Sequence, residues 1–164
     1  MNLERATDEH LRQLMGWFPD RHSCLVWGGP QFRYPFTVAT FVEDTRVREL
    51  PSFVLVDADG RPLAFGQYYE RVGRCHLGRL VVAPGHRGGG LGRHLIGALA
   101  ELGSRQFDAG ECSLFVARDN VRAARLYRGL GFREADYPEH DPVVAPYLYM
   151  VAGVAALKEK LAGA

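Results

Sequence analysis

The sequence has little cysteine and no cysteine pairing motif: Cys24, Cys75 and Cys112 are scattered, odd in number and form no CxxC. A disulfide framework and a zinc-ligating cluster are therefore not expected, and a reducing, cytoplasmic setting fits. Long hydrophobic runs are missing as well, and nothing approaches the ~20 apolar residues of a membrane helix. The N-terminal stretch carries Glu4, Asp8 and Glu9 and no apolar segment, so no secretion signal is expected. Neither sign of charge dominates: the formal net charge is +1. That gives no global electrostatic case for nucleic acid or a membrane surface as partner. There is no internal repeat and no low-complexity tail. What remains, 164 residues at 47% hydrophobic and 24% charged, is the composition of one soluble globular domain, residues 1–164, with a single substantial core.

Periodicity supplies the elements. Asp8 to Trp17 reads as a short amphipathic helix with Leu11, Leu14 and Met15 on one side. The stretch CLVWGGPQFRYPF breaks regularity with Gly28, Gly29, Pro30 and Pro35 while carrying Trp27, Phe32, Tyr34 and Phe36. It is either a loop pinned to the core or a wall of a pocket. Thr40 to Leu50 is a second candidate helix, and SFVLVDADG a buried strand ending in a turn. RPLAFGQYYERVGRCHLGRLVV reads as a long hairpin turning around Arg71 to Gly73, which sets Glu70 opposite Arg74 and Tyr68 opposite His76. Leu91, Leu95, Ala98, Leu99 and Leu102 then mark an amphipathic helix. CSLFV is a strand, Asp119 or Asn120 caps a helix that stops at Gly129 and Gly131, YLYMV is a last strand, and Val154 to Leu161 a short terminal helix. This is an α/β chain with a mixed sheet and helices on its faces.

The unusual local feature is VVAPGHRGGGLGRHL, which places Gly88, Gly89, Gly90 and Gly92 where the helical pattern begins. Glycine in a helix costs up to about 1 kcal/mol per position relative to alanine. A nucleotide P-loop is excluded, because Leu91 and Gly92 stand where lysine and a hydroxyl residue are required. A dinucleotide fingerprint is weak, since the run lies mid-chain rather than near the first strand. A third reading needs only what a glycine-rich helix start offers: unpaired N–H groups, no Cβ to obstruct approach, and the positive end of a dipole. His86, Arg87, Arg93 and His94 surround this start with no acid between them, a pattern that opposes the dipole unless an anion is bound. A glycine-rich turn with solvated arginines stands as the plain alternative.

RGGGLG, Arg87 to Gly92, follows a strand ending LVVAP, and NVRAARLYRGLGF places Asn120, Tyr127, Gly131 and Phe132 downstream. Together these resemble the GNAT superfamily of N-acetyltransferases, whose acetyl-CoA signature is Q/R-x-x-G-x-G/A. The close match covers about residues 75 to 135. The resemblance implies a GNAT-like mixed sheet splayed between its fourth and fifth strands and flanked by helices on both faces, with acetyl-CoA as cofactor. The backbone of Leu80, Val81 and Val82 would pair with the pantetheine arm. Arg87 belongs to the signature, and the amides of Gly88, Gly89, Gly90, Leu91, Gly92 and Arg93 would hold the pyrophosphate. Asn120 would steady the cofactor and Tyr127 would stand by the sulfur.

Acyl transfer to an amine needs a free amine, a donor for the oxyanion and a proton for the leaving thiolate. The resemblance offers the Val82 N–H for the second and Tyr127, ordinary pKa about 10, for the third. For the base, some members carry a glutamate where Phe115 stands here, so this chain departs from that pattern. Others place it on the fourth strand, which corresponds to His76. Direct catalysis or relay by His76 competes with a half-buried histidine bonded to Tyr68, with water as base, and Glu70 is a second candidate. Arg118, Arg122, Arg125 and Arg128 form a basic face, most simply a solvated one. Glu43 and Asp44 could attract an ammonium. The expected activity is N-acetyl transfer to a small-molecule or peptide amine, against a non-catalytic CoA-binding sensor of the same fold. Monomer and homodimer are both open.

Overall fold

The computed structural model describes residues 1–163. Seven strands follow the order β1-β2-β3-β4-β5-β7-β6 in a mixed sheet, accompanied by six α-helices. Two compact units emerge, the first from Met1–Gln67 with Arg79–Leu95 and the second from Tyr68–Gly78 with Ile96 onward.

In the first unit β1 (Asn2–Arg5) pairs antiparallel with β2 (Ser52–Val56), which pairs antiparallel with β3 (Pro62–Arg71). Three eight-residue helices, α1 (Asp8–Met15), α2 (Arg21–Gly28) and α3 (Val38–Thr45), lie between β1 and β2. Each has a side-chain N-cap: Thr7, Asp20 and Thr37 accept from the backbone N–H three residues on, satisfying a donor the helix itself cannot. The expectation of irregular chain from Cys24 is corrected by α2, which starts from the Asp20 cap ahead of that stretch and runs to Gly28, so the first glycines end a helix rather than exclude one. The expected helix Thr40–Leu50 begins and ends earlier, because Arg46 adopts a left-handed φ of 55° that terminates α3. Core residues include Leu11, Leu14, Phe18, Phe32, Phe41, Val54 and Phe65. Trp27 stacks on Phe18 at 4.4 Å and on Phe41 at 5.7 Å. The aromatic segment is thus pinned to this core.

The second unit contains β5 (Glu111–Ala117), the short β6 (Arg133–Glu134) and β7 (Tyr147–Gly153). β4 (Arg74–Val82) pairs parallel with β5 at Cys75↔Cys112, His76↔Ser113 and Leu77↔Leu114. β7 runs antiparallel along β5 from Glu111↔Gly153 to Ala117↔Tyr147 and also pairs with β6. The helices are α4 (Leu91–Phe107), α5 (Val121–Gly129) and α6 (Val154–Ala162). Two glycines of α4 stand close to neighbouring side chains, a flexible leucine end at Gly97 and a tighter contact at Gly103. A Cβ on Gly97 would stand 2.6 Å from Leu161 Cδ1, and one on Gly103 would overlap Cys75 Sγ and meet Tyr68.

The turn between β3 and β4 corrects the expected register. Val72 and Gly73 take left-handed φ values of 46° and 80°, the geometry of a two-residue hairpin. Arg71 therefore opposes Arg74, and Tyr69 rather than Tyr68 opposes His76. The Tyr69 and His76 rings lie 5.2 Å apart, while the Tyr68 hydroxyl donates to Gln106 Oε1 at 2.9 Å. One residue of slip has moved Tyr68 to the opposite sheet face.

Candidate active site

The glycine loop belongs to the first unit. After β4 a single 3₁₀ turn, Pro84–His86, leads to Arg87 and then to α4. Gly88 and Gly90 have φ of 84° and 82°, a region where a side chain costs about 1–2 kcal/mol. A Cβ on Gly85, Gly88 or Gly90 would meet nothing within 4 Å, so internal packing is not what selects glycine. The loop from Pro84 to Gly90 is exposed, and the first turn of α4 has no acidic residue. A 17-residue helix thus opens behind this exposed loop, with Arg87 before its start and Arg93 in its first turn. These residues fit a polyphosphate, whose charge complements both the arginines and the helix terminus. Arg87 Nε donates to the Val82 carbonyl at 3.3 Å, tying the loop to β4. Upstream, Arg79 interrupts β4 with φ of 46°. The Trp27 indole N–H donates to its carbonyl at 2.7 Å, and its guanidinium donates to Gln67 Oε1 at 2.9 Å. Gln67 in turn donates to Ser52 Oγ and the Thr45 carbonyl, both at 2.8 Å. Leu80, Val81 and Val82 follow this fixed bend, each half-buried.

In the second unit Asn120 caps α5, its Oδ1 accepting from Ala123 N–H at 3.3 Å. Tyr127, two turns on, is half-buried with its ring 6.0 Å from Phe132. Burial pushes its phenol up to about 12, so the hydroxyl keeps its proton throughout the neutral range. His76 is 2% exposed. Its Nδ1 lies 2.9 Å from Ser113 Oγ, and its ring is flanked by Tyr69 and by Phe115 at 5.0 Å. Burial first, and then the charge of Arg71, pull its pKa down to about 3. The imidazole is neutral at pH 7 and a weak proton acceptor. Glu70 is used locally, its Oε1 accepting from Gly73 N–H at 2.7 Å in the turn.

Four arginines take partners that the sequence did not suggest. Arg33 ion-pairs with Glu43 at 2.7 Å and Asp44 at 2.8 Å, so these acids already face a cation. Arg128 pairs with Glu134, and Arg118 Nε donates to the Ala145 carbonyl at 3.1 Å, while Arg122 and Arg125 are exposed. Arg71 lies over two rings, its guanidinium carbon 4.9 Å from the Phe115 centroid and 5.4 Å from that of Tyr137. Its Nε donates to the Tyr137 hydroxyl at 2.9 Å. Burial alone would lower the Arg71 pKa, but Tyr137 and Tyr69 more than offset this and the net shift is upward. Phe115 of β5 and Tyr147 and Tyr149 of β7 are visible in sequence. The arrival of Arg71 and Tyr137, 66 residues apart, beside Phe115 is not.

A family model described as the acetyltransferase (GNAT) family matches residues 12–132. The chain belongs to this family. Among curated relatives, streptothricin acetyltransferase of Streptomyces lavendulae is 39% identical over 83 residues. That match takes in 49% of this chain and 43% of the relative's length. Among solved structures, spermidine N-acetyltransferase from Vibrio cholerae, in complex with CoA and spermine, has a TM-score of 0.72 at 19% identity. It covers 96% of this chain and 97% of its own. A chimera of the Vibrio cholerae enzyme gives 0.71 at 16% identity, covering 97% and 99%. At these identities the structural likeness concerns the fold, and the GNAT fold is what the seven-stranded mixed sheet displays. No helix among the described residues is long and apolar enough to cross a membrane.

Proposed function

We propose that this GNAT protein is an acetyl-CoA-dependent N-acetyltransferase acting on a primary amine of a small molecule or peptide. The observation that carries the reading is the exposed loop Arg87–Gly92, with two glycines in the left-handed region and no acid in the helical turn that follows. Acetyl-CoA would supply an activated acyl thioester. The N–H groups of Gly88 to Arg93, with Arg87, would hold its phosphates, and the backbone of Leu80 to Val82 would align its pantetheine arm. The spermidine in the names of the structural relatives supports an amine as acceptor. The three cysteines are free and buried, in keeping with a reducing cytoplasm.

The Val82 N–H is the donor for the developing oxyanion. Tyr127 would be the proton donor to a departing thiolate. A phenol near 12 is a weaker acid than a thiol, whose ordinary pKa is about 8.5. The surroundings that raise the phenol also desolvate a thiolate beside it and raise its proton affinity, which narrows the gap. Asn120 caps α5, the helix that carries Tyr127 two turns further on. His76, held neutral, forms a fixed polar pair with Ser113, and water takes the ammonium proton of the acceptor. A CoA-binding sensor would share the glycine loop but has no use for a protonated phenol, and Tyr127 favours the enzyme.

The test is thiol release from acetyl-CoA against polyamines, aminoglycosides, amino acids and peptides, alongside CoA binding by calorimetry. Turnover with at least one amine class is expected. CoA binding without thiol release from any acceptor would favour the sensor, and no CoA binding would remove both readings.

A further inference from the structure

Arg71 stands without a protein counter-ion among the described residues. It is half-buried, and among the described residues no carboxylate lies within ion-pair distance of it. Arg74, opposite it in the hairpin, has Glu111 at 3.2 Å. A desolvated guanidinium without an acid is unfavourable unless something else supplies the negative charge. The guanidinium carbon lies over the rings of Phe115 and Tyr137, the Tyr137 hydroxyl accepts from Nε, and Tyr69 also interacts with the group. Such immobilisation lowers the entropic cost of engaging a ligand through the remaining N–H donors, whose planar fork matches a carboxylate.

The surroundings disfavour a cation here. His76 lies across the same Phe115 ring, 5.0 Å from it, and Arg71 itself opposes protonation of that imidazole. A polyamine ammonium would meet the same repulsion. An acidic group would relieve it and could lay its apolar body on the rings of Tyr69, Phe115 and Tyr137. We propose that Arg71 binds a carboxylate of the acceptor, so that the preferred substrates are amines that also carry an acid group. This rests on the acetyltransferase reading, and the acceptor's acid is what Arg71 adds to it.

Matched pairs that differ only in the carboxylate decide the matter: phenylalanine and phenethylamine, tyrosine and tyramine, ornithine and 1,4-diaminobutane. Each is titrated against the CoA-loaded protein by ligand-observed NMR and assayed for thiol release. In the wild type the acid should be favoured by about tenfold or more in at least one pair, as a charge-assisted hydrogen-bonded contact implies. Arg71→Gln should bring that ratio close to one, and Arg71→Lys should leave an intermediate value. A wild-type ratio at or below one in every pair overturns the proposal, and so does a ratio that survives in Arg71→Gln. Because removing the guanidinium also removes a ring contact, phenylglyoxal labelling of the wild type gives an independent reading. The acid, and not its decarboxylated partner, should protect Arg71, and equal labelling in both overturns the assignment. Absence of thiol release from every amine would instead strike the acetyltransferase reading, while the binding ratio still reports on Arg71.

Discussion

Burial of His76 as a neutral ring should make the protein acid-sensitive well above the range where carboxylates titrate. In the unfolded chain the imidazole has a pKa of about 6.5, and in the fold it is pulled down to about 3 by desolvation and Arg71. A depressed histidine contributes stability that is present above about pH 6.5 and is lost as pH falls toward 3, because the unfolded state binds the proton first. At pH 5 the unfolded ring is almost fully protonated and the folded ring almost fully neutral. The difference of about 1.5 pH units below the unfolded pKa corresponds to about 2 kcal/mol lost relative to pH 7.5. Urea denaturation of wild type and His76→Asn at both pH values measures it, the asparagine offering an acceptor to Ser113 without titrating. The variant is expected to be less stable at pH 7.5 and to lose about 2 kcal/mol less on acidification. Asp20, Asp44 and Asp57, all shifted below 3.8, titrate further down and cancel in the comparison. Equal losses in the two proteins would refute the buried-neutral assignment. A kinetic corollary follows: an acidic limb near pH 6.5 that disappears in His76→Asn would show the ring titrating at its ordinary value and acting as the base.

Gly90→Asp sets a carboxylate and a Cβ at a φ of 82° in the phosphate loop, and calorimetry should show CoA affinity reduced by at least about tenfold in a folded protein; unchanged affinity removes the cofactor assignment. Tyr127→Phe should leave CoA binding nearly intact and lower turnover about 10- to 1000-fold. With a phenol near 12, the wild-type rate should show no tyrosine-dependent fall between pH 8 and pH 10. Gly103→Ala pushes a methyl into Cys75 Sγ and to 3.0 Å from Tyr68 Cδ2; overpacking of this kind costs about 1–3 kcal/mol, read as a lower thermal midpoint that Cys75→Ala partly restores.

The sequence by itself determined whatever is encoded in neighbouring residues. The α4 pattern is a 3.6-residue period, the stop at Gly131 and the loop at Gly88 and Gly90 are backbone conformations only glycine adopts cheaply, and the Asn120 cap is a contact across three residues. These local requirements carried the family resemblance and located the loop. They did not carry the hairpin register, because Val72, a β-branched residue, takes a left-handed conformation that its identity disfavours, and one residue of slip exchanged Tyr68 for Tyr69 beside His76. Nor did they reveal β1 or the two-residue β6, which are too short to show a period and exist through pairing with β2 and β7. The tertiary structure alone decided the electrostatics. Arg33 reached Glu43 and Asp44, Trp27 reached the Arg79 carbonyl 52 residues away, and Arg71 reached Phe115 and Tyr137 with no carboxylate within ion-pair distance among the described residues. A pKa and a counter-ion depend on desolvation and charge summed over every segment packed around a group, and those segments meet only in the fold.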